Sequence, residues 1–121
     1  MNLNFNLAVS SGYISSSQIA RVLTESWVKQ NIFCPSCGNE ELIQFSNNSP
    51  VADFFCKTCK SEYELKSKKD SFTPRIVDGA YSKMLERINC ENNPHFFFLN
   101  YSSKTLEVSN FLVIPRYLYY Q

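Results

Sequence analysis

Four cysteines constrain this chain more than any other feature. Cys34-Pro-Ser-Cys37 and Cys56-Lys-Thr-Cys59 are two Cys-x2-Cys pairs separated by eighteen residues. The spacing matches a zinc site, and four thiolates suit a tetrahedral ion. With all four positions filled by protein, no place is left for water or substrate, so the expected zinc is structural. It ties the turn of a later hairpin back to the end of the first helix, and Gly38 supplies backbone freedom just after the second ligand. Iron–sulfur ligation and a pair of redox disulfides are the weaker alternatives. Cys90 falls outside the pattern and reads as a half-buried free thiol. The N-terminal Met-Asn-Leu-Asn-Phe-Asn-Leu lacks the basic flank and apolar run of a signal peptide. That points to the cytoplasm, where paired cysteines bind metal more often than they form disulfides.

A second chemistry is interleaved with the second cysteine pair. Asp53 precedes it, and Glu64 and Lys66 follow it. If Val51–Phe55 and Glu62–Ser67 are strands, the cysteines form the turn between them and the strands pair antiparallel. Side chains alternate along a strand, so Glu64 and Lys66 share one face and Tyr63 and Leu65 the other. Asp53 then stands beside Glu64. Two carboxylates and a lysine make a poor core but a good site for Mg²⁺, which takes oxygen ligands and keeps several waters. The Leu65 carbonyl could add a third oxygen, and Lys66 would orient the attacking water and stabilise charge in a phosphorane-like transition state. The bland reading of the same residues is a ladder of cross-strand ion pairs on a solvated face.

The rest of the chain supplies the frame. Residues 1–16 are polar and read as a loosely attached arm. Ser15, Ser16 or Ser17 could cap a helix running to about Gln30, with Ile19, Val22, Leu23 and Trp27 on its apolar face. Glu25 lies away from that stripe and is read as a solvated glutamate rather than an assistant to the metal site. Leu42–Phe45 is a short strand, Ser46–Pro50 a turn-rich loop, and Lys68–Pro74 a basic loop. A second helix is expected from Asp78 to about Ile88. Phe96–Tyr101 and Leu106–Ile114 are two further strands, the first apolar enough for the sheet centre. His95 reads as a surface or half-buried histidine, and the aromatic runs at 96–98 and 117–120 as core and edge. The expected architecture is α/β, a mixed sheet flanked by helices with a four-cysteine zinc-ribbon insertion at about residues 34–59.

Charge and hydropathy narrow the function classes. No stretch is long and apolar enough to span a membrane. The net charge of +1 does not by itself announce a nucleic-acid binder. Yet six of the twelve basic residues lie between Lys57 and Arg75, a patch that suits phosphates or simply guards a strand edge.

The longer string of motifs is more specific. Pro50-Val51-Ala52-Asp53-Phe54, the Cys56/Cys59 knuckle, Glu64 to Lys69, Asp78-Gly79-Ala80-Tyr81 and Asn92-Asn93-Pro94-x-Phe96-Phe97-Phe98-Leu99 resemble the catalytic domain of the DpnI-like methyl-directed restriction endonucleases. These belong to the PD-(D/E)XK nuclease superfamily. The resemblance covers essentially all of residues 1–121 and implies a Mg²⁺-dependent type II endonuclease, expected as a monomer, that cuts adenine-methylated double-stranded DNA at GATC-like sites. By that resemblance Asp53, Glu64 and Lys66 are catalytic, with Asp53, Glu64 and Leu65 at Mg²⁺. Cys34, Cys37, Cys56 and Cys59 hold structural Zn²⁺, and Lys68, Lys69 and Arg75 are candidate DNA contacts. The DpnI-like enzymes also carry a C-terminal winged-helix domain, and this chain stops before it. The rival from another class is a zinc-ribbon module that binds DNA or protein without turnover.

Overall fold

The computed structural model describes residues 2–45, 52–70 and 94–115. Helix α1 spans Ser16–Asn31, and five strands follow: β1 (Ile43–Gln44), β2 (Phe54–Phe55), β3 (Glu62–Lys69), β4 (His95–Tyr101) and β5 (Val108–Ile114). They form one mixed sheet in sequence order, β1 to β5. The β1–β2, β2–β3 and β4–β5 pairs are antiparallel, while β3 and β4 run parallel from Tyr63↔His95 to Lys69↔Tyr101. Parallel neighbours need a long crossover. The second helix expected from Asp78 to about Ile88 lies outside the described residues. So do Arg75, Cys90 and the C-terminal tyrosines.

The core explains the order. β4 lies between its neighbours with Phe96 and Phe97 at 0% exposure, as its apolar run requires. Leu23, Trp27 and Val28 of α1 pack with Phe54, Tyr63, Phe97 and Leu99 in one cluster. Rings bridge the layers: Tyr63 stacks on Phe97 at 4.5 Å, and Phe111 touches both Phe97 and Trp27. His95 is half-buried beside Tyr63.

Two expectations are corrected. β3 runs on through Lys68 and Lys69, which are strand residues rather than the start of a loop, because β4 offers backbone partners along its whole length. The N-terminal arm is also firmly held. Phe5 is 6% exposed in the core and meets Tyr101 edge-on at 5.2 Å. Leu3 and Phe5 exchange backbone hydrogen bonds with Val108 and Leu106, and the Trp27 indole N–H donates to the Asn2 carbonyl at 2.8 Å. A polar segment thus carries one aromatic anchor and borrows the β5 edge. Phe5→Ala should therefore cost about 3 kcal/mol, the usual penalty for emptying a buried aromatic position. An unchanged urea midpoint would contradict this docking. Among the described residues no helix is long and apolar enough to cross a membrane.

Candidate active site and cysteine cluster

Two knuckles of the same construction build the cysteine cluster. The Gly38 N–H donates to the Cys34 carbonyl at 2.8 Å, and the Lys60 N–H to the Cys56 carbonyl at 2.9 Å. Cys34 N–H then reaches Asn39, and Cys56 N–H reaches Ser61. Each turn needs a left-handed residue after its second cysteine, Gly38 at φ +82° and Lys60 at φ +66°. Glycine adopts that region freely, whereas Lys60 gives up about 1 kcal/mol to do so.

The four sulfurs lie within 4.8 Å of one another, with Cys34–Cys59 and Cys37–Cys56 both at 3.6 Å. A tetrahedral zinc ion with bonds of about 2.3 Å spaces its sulfurs about 3.8 Å apart. A disulfide would need about 2.05 Å. The cluster fits zinc, and its cysteines are free thiols. Its protons are unevenly shared. At Cys37 the Asn39 amide favours the thiolate, but desolvation and the neighbouring cysteines outweigh it and push the thiol up to about 12. At Cys56 desolvation is outweighed by the Cys59 and Thr58 amides and the Cys37 and Cys59 thiols, which draw it down to about 6. Four crowded thiols cannot all ionise alone, and a divalent cation removes that conflict. Tyr63 supports the cluster from the core. Its hydroxyl lies 3.2 Å from the Cys34 sulfur and 3.0 Å from the Ser36 hydroxyl. With Cys34 as a thiolate, Tyr63 donates to sulfur and accepts from Ser36.

The hairpin places the acids. Asp53 N–H donates to the Tyr63 carbonyl, and the Asp53 carbonyl accepts from Phe45, which fixes the residue between β1 and β3. Its carboxylate accepts the Leu65 N–H at 2.7 Å. Glu64 pairs with Lys66 at 3.3 Å. Burial raises the Asp53 carboxyl most; the Leu65 N–H draws it back, the Glu64 charge raises it further, and the net shift is upward.

Glu25 corrects the sequence reading. It is 8% exposed, accepts a hydrogen bond from the Gln44 amide and faces Arg21 at 3.6 Å. Burial first, then the charge of Asp53, raises its pKa. The stripe of Ile19, Val22, Leu23 and Trp27 omits Thr24 and Val28, both of which are buried. Including them rotates the buried face toward Glu25, which lies three residues before Val28 and therefore beside it. That pairing was the available signal.

A cavity of about 430 Å³ opens between α1 and β3. Glu25, Asp53, Lys68 and Lys69 all line it, with Arg21 and Tyr101 also in its walls. A family model described as DpnI, Dam-replacing family, matches residues 1–120. The chain belongs to that family. DpnI-family membership points to DNA as the partner and to nuclease-related chemistry.

One consequence is measurable without DNA. Both acids have folded pKa values above their unfolded ones. Such groups bind more protons when folded, so their contribution favours the fold less as pH rises through the carboxylate range. Glu25→Gln keeps an acceptor for Gln44 and removes one of two repelling charges. The variant should be more stable than the wild type at pH 7 without added Mg²⁺ or Ca²⁺, with the gain vanishing near pH 4. A gain independent of pH would break the link to Asp53.

Proposed function

We propose that this DpnI-family chain is a Mg²⁺-dependent endonuclease with a PD-(D/E)XK core, cutting double-stranded DNA at adenine-methylated, GATC-like sites. The observation that carries the reading is the electrostatic coupling of Asp53 to both Glu64 and Glu25 beside a basic cavity. Asp53 feels the negative charge of both neighbours, and its own carboxyl and that of Glu25 are raised, a conflict that a cation beside Asp53 would relieve. Asp53 and Glu64 would hold Mg²⁺, with the Leu65 carbonyl as a further oxygen and Glu25 beside them. When bound, the ion supplies charge for the phosphate oxygens and a lowered pKa for water.

The chain's own residues do the rest. The Leu65 N–H holds the Asp53 carboxylate in one orientation, and Gln44 does the same for Glu25. Lys66, restrained by Glu64, places a cation where the attacking water and the developing negative charge meet. Lys68 and Lys69 draw the DNA backbone toward the acids. The cysteine cluster, with zinc bound, fixes the β2–β3 turn and so the spacing of Asp53 from Glu64.

The 3.3 Å Glu64–Lys66 contact also suits a plain ion pair on a binding module without turnover. Burial of Glu25 beside Asp53 has no role in that reading. Plasmid grown with or without adenine methylation separates the cases in Mg²⁺. Cutting confined to methylated DNA supports the full proposal, and equal cutting removes the methyl specificity. No cutting at saturating protein, with zinc bound and the fold intact, favours the module.

A further inference from the structure

The cavity's basic part is more than an approach to the acids. Ser16 and Ser17 open α1 and line the cavity together with Lys68, Lys69 and Tyr101. The first N–H groups of a helix have no partner within it and carry its positive end. A capping side chain usually takes one of them, yet the N-cap Ser15 makes no such bond, and its hydroxyl lies 2.9 Å from that of Ser17 instead. The first-turn amides are left available to an acceptor from outside the helix.

Tyr101 is the second, independent observation. It is 8% exposed and lines the same cavity. Its ring meets Phe5 at 5.2 Å, while its hydroxyl has no hydrogen-bond partner among the described residues. A hydroxyl in a largely buried residue is destabilising when left unpaired, so an acceptor beside it is favoured. Burial, with a smaller effect from the Asp70 charge, raises its pKa, which keeps it a protonated donor. Uncapped amides, a lone hydroxyl and two lysines all donate here, while Glu25 and Asp53 stand elsewhere in the cavity walls and the Asp70 charge acts on Tyr101. An oxyanion satisfies them together.

We propose that the N-terminus of α1, Lys68, Lys69 and Tyr101 form a phosphate subsite that seats a backbone phosphate flanking the one held at the carboxylates. Lys68 and Lys69 lie three and four residues beyond Leu65, about 10–13 Å along the strand. That sets the subsite apart from the carboxylates along β3. The backbone around it is anchored: the buried Asn100 side chain donates to the carbonyls of Lys68 and Asp70 at 3.0 and 2.7 Å. The Asp70 carboxylate in turn accepts from Ser103. The cation at the acids and the anion seat at α1 would together fix the register of the cut strand. This inference rests on the nuclease reading for the source of the phosphate, but not for the anion chemistry.

Two arms test it. In the first, inorganic phosphate is titrated into ¹⁵N-labelled protein, with sulfate and chloride controls at equal ionic strength. Saturable shifts of the Ser16 and Ser17 amides that are lost in Tyr101→Phe and Lys69→Gln support the seat. Shifts that follow ionic strength alone, or spare these amides, overturn it. In the second, duplexes carrying one neutral methylphosphonate at successive positions are bound in Ca²⁺. One position flanking the cut should cost wild type about tenfold and Lys69→Gln nothing further. Equal penalties in both proteins at every position overturn the assignment to DNA. Phosphate shifts without any duplex binding would leave the anion seat standing and remove the nuclease reading, so the two fail separately.

Discussion

Asp53→Asn should fold, bind zinc and cut DNA at least about a thousandfold more slowly than wild type. The substitution is nearly isosteric, and an amide oxygen can still accept the Leu65 N–H that holds the side chain now. What it removes is one negative charge from a site whose acids already repel one another. Loss of that charge should weaken divalent-cation binding and with it the stabilisation of the phosphate transition state, an effect of the size seen when such electrostatic partners are deleted. The thermal midpoint without Mg²⁺ should stay the same or rise, because a repulsive group is gone. A large stability loss would mean Asp53 is a structural residue. Undiminished cutting would remove it from the chemistry altogether.

Stripping zinc should have the largest effect on the fold. Cys34 and Cys56 are fully buried members of the main core cluster, so the metal site is continuous with the packing of α1 on the sheet. Structural zinc sites contribute on the order of 10 kcal/mol, comparable with the whole net stability of a domain this size. A strong chelator, or Cys56→Ser, should therefore abolish the cooperative thermal transition followed by circular dichroism. Acid should act in the same direction, since all four ligands must be thiolates to hold the ion and protons compete for them. An unchanged transition after verified metal removal would show that the cysteines pack without needing an ion.

Much of this was legible in the residues, and the gaps have physical causes. The cysteine spacing pointed to the clustered sulfurs because two Cys-x2-Cys pairs at this separation match a closed four-ligand site. Strand parity put Glu64 and Lys66 on one face because alternation follows from the pleat. The central place of β4 followed from its unbroken apolar run. The reach of β3 through Lys69 was hidden, since lysines in a strand look like a loop until a parallel partner is known. Phe5 was hidden because one anchoring ring in a polar arm has no periodicity to betray it. Glu25 was hidden because charge on a helix flank is normally solvated, and only the burial of Thr24 and Val28 turns that flank inward.

Sharing of one catalytic divalent ion by Asp53 and Glu64 underlies the proposed chemistry. Anomalous scattering from Mn²⁺ soaked into a crystal of the protein with adenine-methylated duplex tests it most directly. An anomalous peak is expected about 2.1 Å from carboxylate oxygens of both residues, absent in Asp53→Asn. A DNA complex with no peak there at saturating Mn²⁺, or with the same peak in the variant, would contradict it.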